Sequence, residues 1–157
     1  MESPTARRLI ERLKKYEIYK PNKAVTGGAF QFDLNALKES VFVEAASQKG
    51  EQEFDWSNKI VFKLGIADIG KLLAVIEGRK PSCDLFHDAA KAKLLSEEST
   101  AKNTTLSLAK GSYGFFLKVS RQHLNSSLQA VNIPLSDDEA LLLRVLLEKA
   151  VERIYGW

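Results

Sequence analysis

Two periods, of strand and helix, succeed each other along this 157-residue chain. Phe30, Phe32 and Leu34 alternate with Gln31 and Asp33, and Val41 to Ala46 continues in an extended, apolar register. Ile60, Phe62 and Leu64 alternate with Val61 and Lys63, the period of two that marks a half-buried strand. From Ile66 the pattern changes: Ile69, Leu72, Leu73 and Ile76 recur at helical spacing, and Gly78 is placed to end that helix in the left-handed region. A helix laid directly after a strand is expected to pack back across that strand's own sheet. Upstream, Tyr16 to Val25 reads as an edge strand interrupted at Pro21, which lacks a ladder donor. Gly27-Gly28 reads as a turn, Asn35 to Glu39 as a connection and Ser47 to Glu51 as a hairpin turn around Gly50.

The second half repeats the scheme. Cys83 to His87, Thr104 to Ala109, Phe115 to Val119 and Leu128 to Leu135 read as strands, with Gly111 at a turn and the polar stretch Asp88 to Thr100 as a mobile loop. Ser136-Asp-Asp-Glu139 is a capping box that opens a long helix toward Tyr155. Setting Leu64 against Leu135 brings Ile60 and Phe62 onto Val131 and Ile133, Asp68 onto Glu139, and Leu72, Val75 and Ile76 onto Leu143, Leu146 and Leu147. Each half is then four strands followed by one helix, an α+β chain. We read one domain over residues 16–157, built of half repeats 16–78 and 82–155, behind a basic N-terminal helix or tail over 1–15. On the last helix Leu143, Leu146, Leu147, Ala150 and Ile154 form one apolar face. Leu141, Leu142 and Val145 widen it beyond a single stripe, so the helix is either wrapped by its own sheets or also packs on another protomer; the second is favoured because a two-sheet domain has few layers to cover it, and puts those three in an oligomer interface.

Composition narrows the classes. Apolar residues make 45% and charged residues 27%, ordinary for a globular chain, and no run of about 18 apolar residues exists to span a membrane. The net charge of +3 permits an acidic partner. Cys83 stands alone, so no intrachain disulfide forms. Arg7, Arg8, Arg12, Lys14 and Lys15 surround Leu9, Ile10 and Leu13; this reads as an exposed helix or the remnant of a trimmed presequence, and no secretory signal is visible. Chemistry points away from an enzyme. Cys83 and His87 share a strand face, but with His123 they match no standard zinc spacing and have no orienting third group. Gly65 to Gly70 lacks the Gly-Lys-Ser/Thr ending of a phosphate loop, and Asp137 and Asp138 are accounted for as helix N-terminal charges. No cofactor and no metal are expected.

Phe54-Asp-Trp-Ser-Asn-Lys59 resembles the aromatic-Asp-Trp-Ser-x-Lys signature of the Whirly single-stranded-DNA-binding proteins. Ile69-Gly70 after Asp68, the segment Ser82 to Asp88 and the ending Tyr155-Gly156-Trp157 resemble the same family in the same order. The resemblance covers about Tyr16 to Trp157. It implies two four-stranded antiparallel sheets, each followed by a helix; homotetramers held by the helices; and organelle or nuclear DNA as partner, in a mitochondrion, a plastid or the nucleus. The family's Lys-Gly-Lys-Ala-Ala-Leu motif is altered here to Lys20-Pro-Asn-Lys-Ala-Val25, and Gly65 stands where the family tends to have a serine cap. Both departures mark a divergent member.

Sequence-tolerant binding of a single strand needs aromatic faces for bases and cations for phosphates. The candidates are Tyr16, Tyr19, Lys20, Lys23, Phe32, Trp56, Lys59, Phe86, Lys118 and Arg121, interleaved on predicted strands. Neither predicted helix carries the cations of a duplex-reading recognition helix. Each candidate has a plainer role. Alternating aromatics such as Phe30, Phe32, Phe62 and Phe116 are usual core residues; Trp56 either packs or contacts a base; Lys59, Lys118 and Arg121 also suit a solvated face; Lys20 and Lys23 also suit a guarded strand edge. The function expected is single-stranded DNA binding in genome maintenance or transcription. The alternatives are an RNA-binding protein of the same fold group and a scaffold subunit that has lost nucleic-acid binding.

Overall fold

A computed structural model describes residues 13–88, 101–124 and 127–157. The basic segment 1–12 and the polar stretch 89–100 lie outside the described residues. Among those described, nine strands and two α-helices form two antiparallel sheets. In the first sheet β1 (Tyr16–Lys20), β2 (Gly28–Asn35), β3 (Ser40–Gly50) and β5 (Ile60–Leu64) lie side by side, and the two-residue β4 (Glu53–Phe54) pairs with the end of β3. The helix α1 (Ile66–Ile76) follows. The second sheet runs in chain order through β6 (Ser82–Asp88), β7 (Ala101–Gly111), β8 (Gly114–His123) and β9 (Leu128–Leu135), and α2 (Asp137–Tyr155) follows. The four-strand-plus-helix unit read from the repeat is thus present twice, as expected.

Local chemistry sets the boundaries. β1 stops at Lys20 because Pro21 cannot extend the ladder, and the chain turns with Val25 at φ 57°. The loop is pinned by the buried Gln48 carboxamide, which accepts from the Asn22 and Gly27 amides and donates to the carbonyls of Asn22, Gly50 and Glu51. These bonds keep β3 extended to Gly50, so the hairpin turn expected over Ser47 to Glu51 begins later. The two halves cap their helices alike. The Asp68 carboxylate accepts from the Gly65 amide at 3.0 Å, and the Glu139 carboxylate accepts from the Ser136 amide at 2.9 Å. With glycine at the N-cap, α1 has half of the capping box that α2 has complete.

The inner faces of both sheets share one core. Ile18, Phe30, Phe32, Val43, Ile60 and Phe62 come from the first sheet, and Leu85, Leu106, Leu117, Val131 and Ile133 from the second. The helices exchange partners. α1 and α2 pack on each other; α1 also lies against β6 and β7 of the second sheet, and α2 against β3 and the 3-10 turn Ala36–Lys38 of the first as well as β8 of its own. The expectation that a helix covers its own sheet therefore fails: a single residue, Gly65, joins β5 to α1, and the helix passes into the space facing the opposite sheet. No helix among the described residues is long and apolar enough to cross a membrane.

The sheets approach each other closely at Gly28. A β-carbon there would stand 2.5 Å from Val131 Cγ1 and 3.3 Å from Ile133 Cγ2. Gly28→Ala is expected to cost about 1–3 kcal/mol by overpacking, read as a lower denaturant midpoint with an unchanged slope.

Candidate nucleic-acid interface

Strand alternation turns Ile18 into the core and Tyr19 out of it. On that outer side β4 presents Phe54, whose ring lies 5.5 Å from that of Tyr19 at 47°. Trp56 opens the 3-10 turn Trp56–Asn58 immediately after. The three aromatics, with Pro21, Lys49, Gln52 and Glu53, line an open groove of about 610 Å³.

The turn that carries Trp56 is held from two sides. From within, the Asp55 carboxylate accepts from Ser57 Oγ and Asn58 Nδ2, both at 2.8 Å. The Asn58 and Ser57 donors hold the Asp55 carboxyl below the usual aspartate value. From across the molecule, Arg121 donates to the Lys59 carbonyl at 3.4 Å and to Gln129 Oε1 at 3.0 Å, while the Gln129 amide donates to the Asn58 carbonyl. Burial lowers the Arg121 pKa from the usual arginine value. The signature stretch 55–59 is thus clasped by β8 and β9 of the other sheet while Trp56 lines the groove.

Several residues expected at the interface lie in the core or have partners within the chain. Phe32 is 5% exposed and belongs to the core, because its strand position faces inward beside Phe30 and Val43. Tyr16 is half-buried, 6.2 Å from the Phe32 ring, with its hydroxyl donating to the Glu139 carbonyl. Burial, then the charges of Glu139 and Asp138, raise its pKa. Lys20 pairs with Glu139 at 2.6 Å and Lys59 with Glu44 at 3.1 Å. Arg121 braces the turn, as described. These side chains are already committed within the chain.

Tyr19 and Trp56 are brought together in the groove, and Lys23 is exposed on the loop that supplies Pro21. Phe86 and Lys118 lie elsewhere, on the outer face of the second sheet. Phe116 joins them there at 53% exposure, and its neighbour Phe115 is buried. Sequence reasoning took Phe116 for core. Of two adjacent aromatics on one strand only one can face inward, and the match of Leu117 and Val119 to the core register decides which. Phe54, Lys49, Gln52 and Glu53 were also missed. Phe54 was legible as part of the signature; Lys49 stands at the end of β3, and Gln52 and Glu53 come to the groove through the late turn after Gly50.

Cys83 and His87 do share a face, with Leu85 between them, but that face is inward. The His87 ring stacks on Phe62 at 3.9 Å, and its Nε2 lies 3.2 Å from Asp68 Oδ2. Burial pushes the Cys83 thiol pKa up. Among the described residues no cluster of three metal-ligating side chains occurs. On α2, Ala140, Leu143, Leu147 and Ala150 are buried, whereas Leu141, Leu142, Val145 and Leu146 are each about half exposed. Leu146 thus leaves the inner face assigned to it, because the buried stripe follows 140, 143, 147 and 150 around the helix.

The model of the family described as "Whirly transcription factor" matches residues 28–146. The chain belongs to the Whirly family. "Single-stranded DNA-binding protein WHY3, chloroplastic" of Arabidopsis thaliana is 32% identical over 136 residues, which is 85% of this chain and 48% of that protein. A Solanum tuberosum relative, "Single-stranded DNA-binding protein WHY1, chloroplastic", is 29% identical over 157 residues, 90% of this chain and 54% of its own length. This Whirly chain spans about half the length of these curated relatives. Its fold matches the crystal structure of Arabidopsis WHY3 with a TM-score of 0.74 at 25% identity, over 92% of this chain and 89% of that one. The fold is shared more distantly, at 15% identity and a TM-score of 0.68, with a guide-RNA-binding protein complex.

The Lys20–Glu139 pair ties the edge strand β1 to the N-terminus of α2. Burial opposes ionisation of Glu139, but the Lys20 ammonium and the Ser136 donors overcome it and hold the carboxyl below the usual glutamate value. Its contribution to stability is complete above the ordinary glutamate pKa and is lost as pH falls through the lower, folded one. Lys20→Met should cost about 1 kcal/mol at neutral pH. Chemical denaturation across the acid range should show wild type and variant converging there.

Proposed function

We propose that this Whirly chain binds single-stranded DNA with little sequence preference, bases stacking in the groove of Tyr19, Phe54 and Trp56. The groove carries the reading: it gathers three aromatic rings, two of them expected from sequence, beside an exposed lysine. Lys23, Lys49 and Lys118 are exposed and are the cations this reading assigns to phosphates. Phe116, two residues before Lys118, and Phe86, on the same outer face of the second sheet, extend the same chemistry over a longer strand. The names of the matched relatives support single-stranded DNA as ligand and a plastid as compartment; a mitochondrial or nuclear setting suits the same chemistry. Its use would be genome maintenance or transcription. Residues 16–157 act as one domain in this reading, and the exposed stripe Leu141, Leu142, Val145 and Leu146 packs against other copies in a homotetramer.

A second reading is a scaffold subunit that has lost nucleic-acid binding. The internal pairing of Lys20, Lys59 and Arg121 favours it, since these cations are not free for phosphates.

Titration with single-stranded and duplex oligonucleotides over a range of salt separates the two. The expected result is tighter binding of the single strand with an affinity that falls as salt rises. Trp56→Ala should weaken it by about 1–3 kcal/mol with the fold retained by circular dichroism. Equal affinity for duplex, or indifference to salt, overturns the proposal, and no binding of either strand favours the scaffold. Oligomerisation is tested apart from binding: Leu142→Glu with Val145→Glu is expected to lower the mass seen by light scattering, and a retained wild-type mass removes these residues from the interface.

A further inference from the structure

We propose that Gln48 is the positioning residue of the aromatic groove: its buried carboxamide sets the two walls before a base arrives. The inference rests on the single-strand reading above and adds the group that holds the stacking platform in shape. The walls come from separate stretches of chain. Tyr19 and Pro21 belong to β1 and the loop after it; Lys49, Gln52, Glu53, Phe54 and Trp56 belong to the end of β3, to β4 and to the turns beside it. Gln48 lies in β3, registered opposite Phe54, and is 6% exposed. Its Oε1 accepts from the Asn22 and Gly27 amides, both at 3.0 Å. Its Nε2 donates to the carbonyls of Asn22 at 3.1 Å, Gly50 at 2.9 Å and Glu51 at 3.1 Å. Asn22 follows Pro21, Gly50 follows Lys49, and Glu51 precedes Gln52. The carboxamide thus ties the chain behind one wall to the chain behind the other. The backbone adds to the tie: the Gln48 amide donates to the Gly27 carbonyl at 2.9 Å, and the Asp55 amide to the Ser47 carbonyl at 2.8 Å.

The place asks for glutamine. Its oxygen accepts from two amides while its NH2 faces three carbonyls. A carboxylate would set an acceptor against those carbonyls, and an apolar side chain would leave the Asn22 and Gly27 amides without that acceptor. Gly27 belongs to the same fit, since a β-carbon there would stand 1.9 Å from the Lys20 carbonyl oxygen and 2.9 Å from Gln48 Oε1. The consequence for binding is preorganisation. Rings that must be assembled as the base arrives lose part of the stacking energy to ordering. Tyr19 and Phe54 already lie 5.5 Å apart, and Gln48 fixes the backbone on both sides of them. Gln48 itself is buried, so its effect on a ligand passes through the rings.

Two measurements test this. In the free wild-type chain the Asn22 and Gly27 amides should exchange slowly with deuterated solvent, because the Gln48 side chain is their acceptor. Rapid exchange of both overturns the proposal, and this measurement stands whether or not a variant folds. The second is a double-mutant cycle on single-stranded oligothymidine, with each variant shown to be folded by circular dichroism. Gln48→Met should weaken binding about tenfold, the scale of one stacked base. The salt dependence of the affinity should keep its slope, because no phosphate contact is lost. In a Trp56→Ala chain the same change should cost little, because the platform it positions is gone. Val75→Ala, on the buried face of α1, destabilises the fold away from the groove and should leave the affinity at the wild-type value. Wild-type affinity for Gln48→Met, or an equal loss with and without Trp56, overturns the positioning role alone. Failure of the wild-type chain to bind overturns the single-strand reading and this inference together.

Discussion

Two sheets with a shared core can approach only as closely as the residues between them allow, and at Gly28 the approach leaves no space for a side chain. Gly28 faces Val131 and Ile133 with no room for a β-carbon. Around that contact the two helices pack on each other, α1 reaching β6 and β7 of the other sheet, and α2 reaching β3 of the other sheet and β8 of its own. Neither half thus buries its inner face alone. Phe30 and Phe62 of the first half and Leu117 and Ile133 of the second belong to one continuous cluster, so the halves depend on each other for burial of the apolar area that stabilises either.

This interlock determines which charged groups remain available. Positions that face inward at the ends of strands meet the other half. Lys20, opposite Gly28, reaches Glu139 at the start of α2. Arg121, on the inner face of β8, reaches the backbone of the turn after Trp56. The same contact that holds the Arg121 guanidinium fixes the turn, whose Trp56 lines the groove. In the proposed reading Trp56 is a base platform, which works best on a support that does not reorganise when the base arrives. The Asp55 carboxylate inside the turn and the Arg121–Gln129 clasp outside it supply that support.

Much of this was legible from local pattern. The alternation at Ile60, Phe62 and Leu64 marked a strand because period two needs no knowledge of partners. Ser136 and Glu139 marked the start of α2 because a capping box is a contact between residues three apart. Asp68 and Glu139 proved equivalent for the same local reason. The errors share a different cause. Phe32 against Tyr19, Phe115 against Phe116 and Leu146 against Leu147 are choices of face, and period alone names two faces without saying which is covered. The turn after Gly50 came late because Gln48, a residue with no sequence signature, secures the chain across a loop 26 residues away.

The sequence by itself determined the order of strands and helices, the repeat of a four-strand unit, the caps and the family signature at 54–59. All of these follow from residues close in the chain. Only the tertiary structure decided the exchange of helices between sheets, the internal use of Lys20, Lys59 and Arg121, and the meeting of Tyr19 with Phe54 and Trp56. Burial and charge pairing are properties of neighbours in space, and these neighbours lie as far apart as Lys20 and Glu139, 119 positions along the chain. A side chain's chemistry is written in its identity, but whether that chemistry faces a partner or solvent is set only when distant strands close on one core.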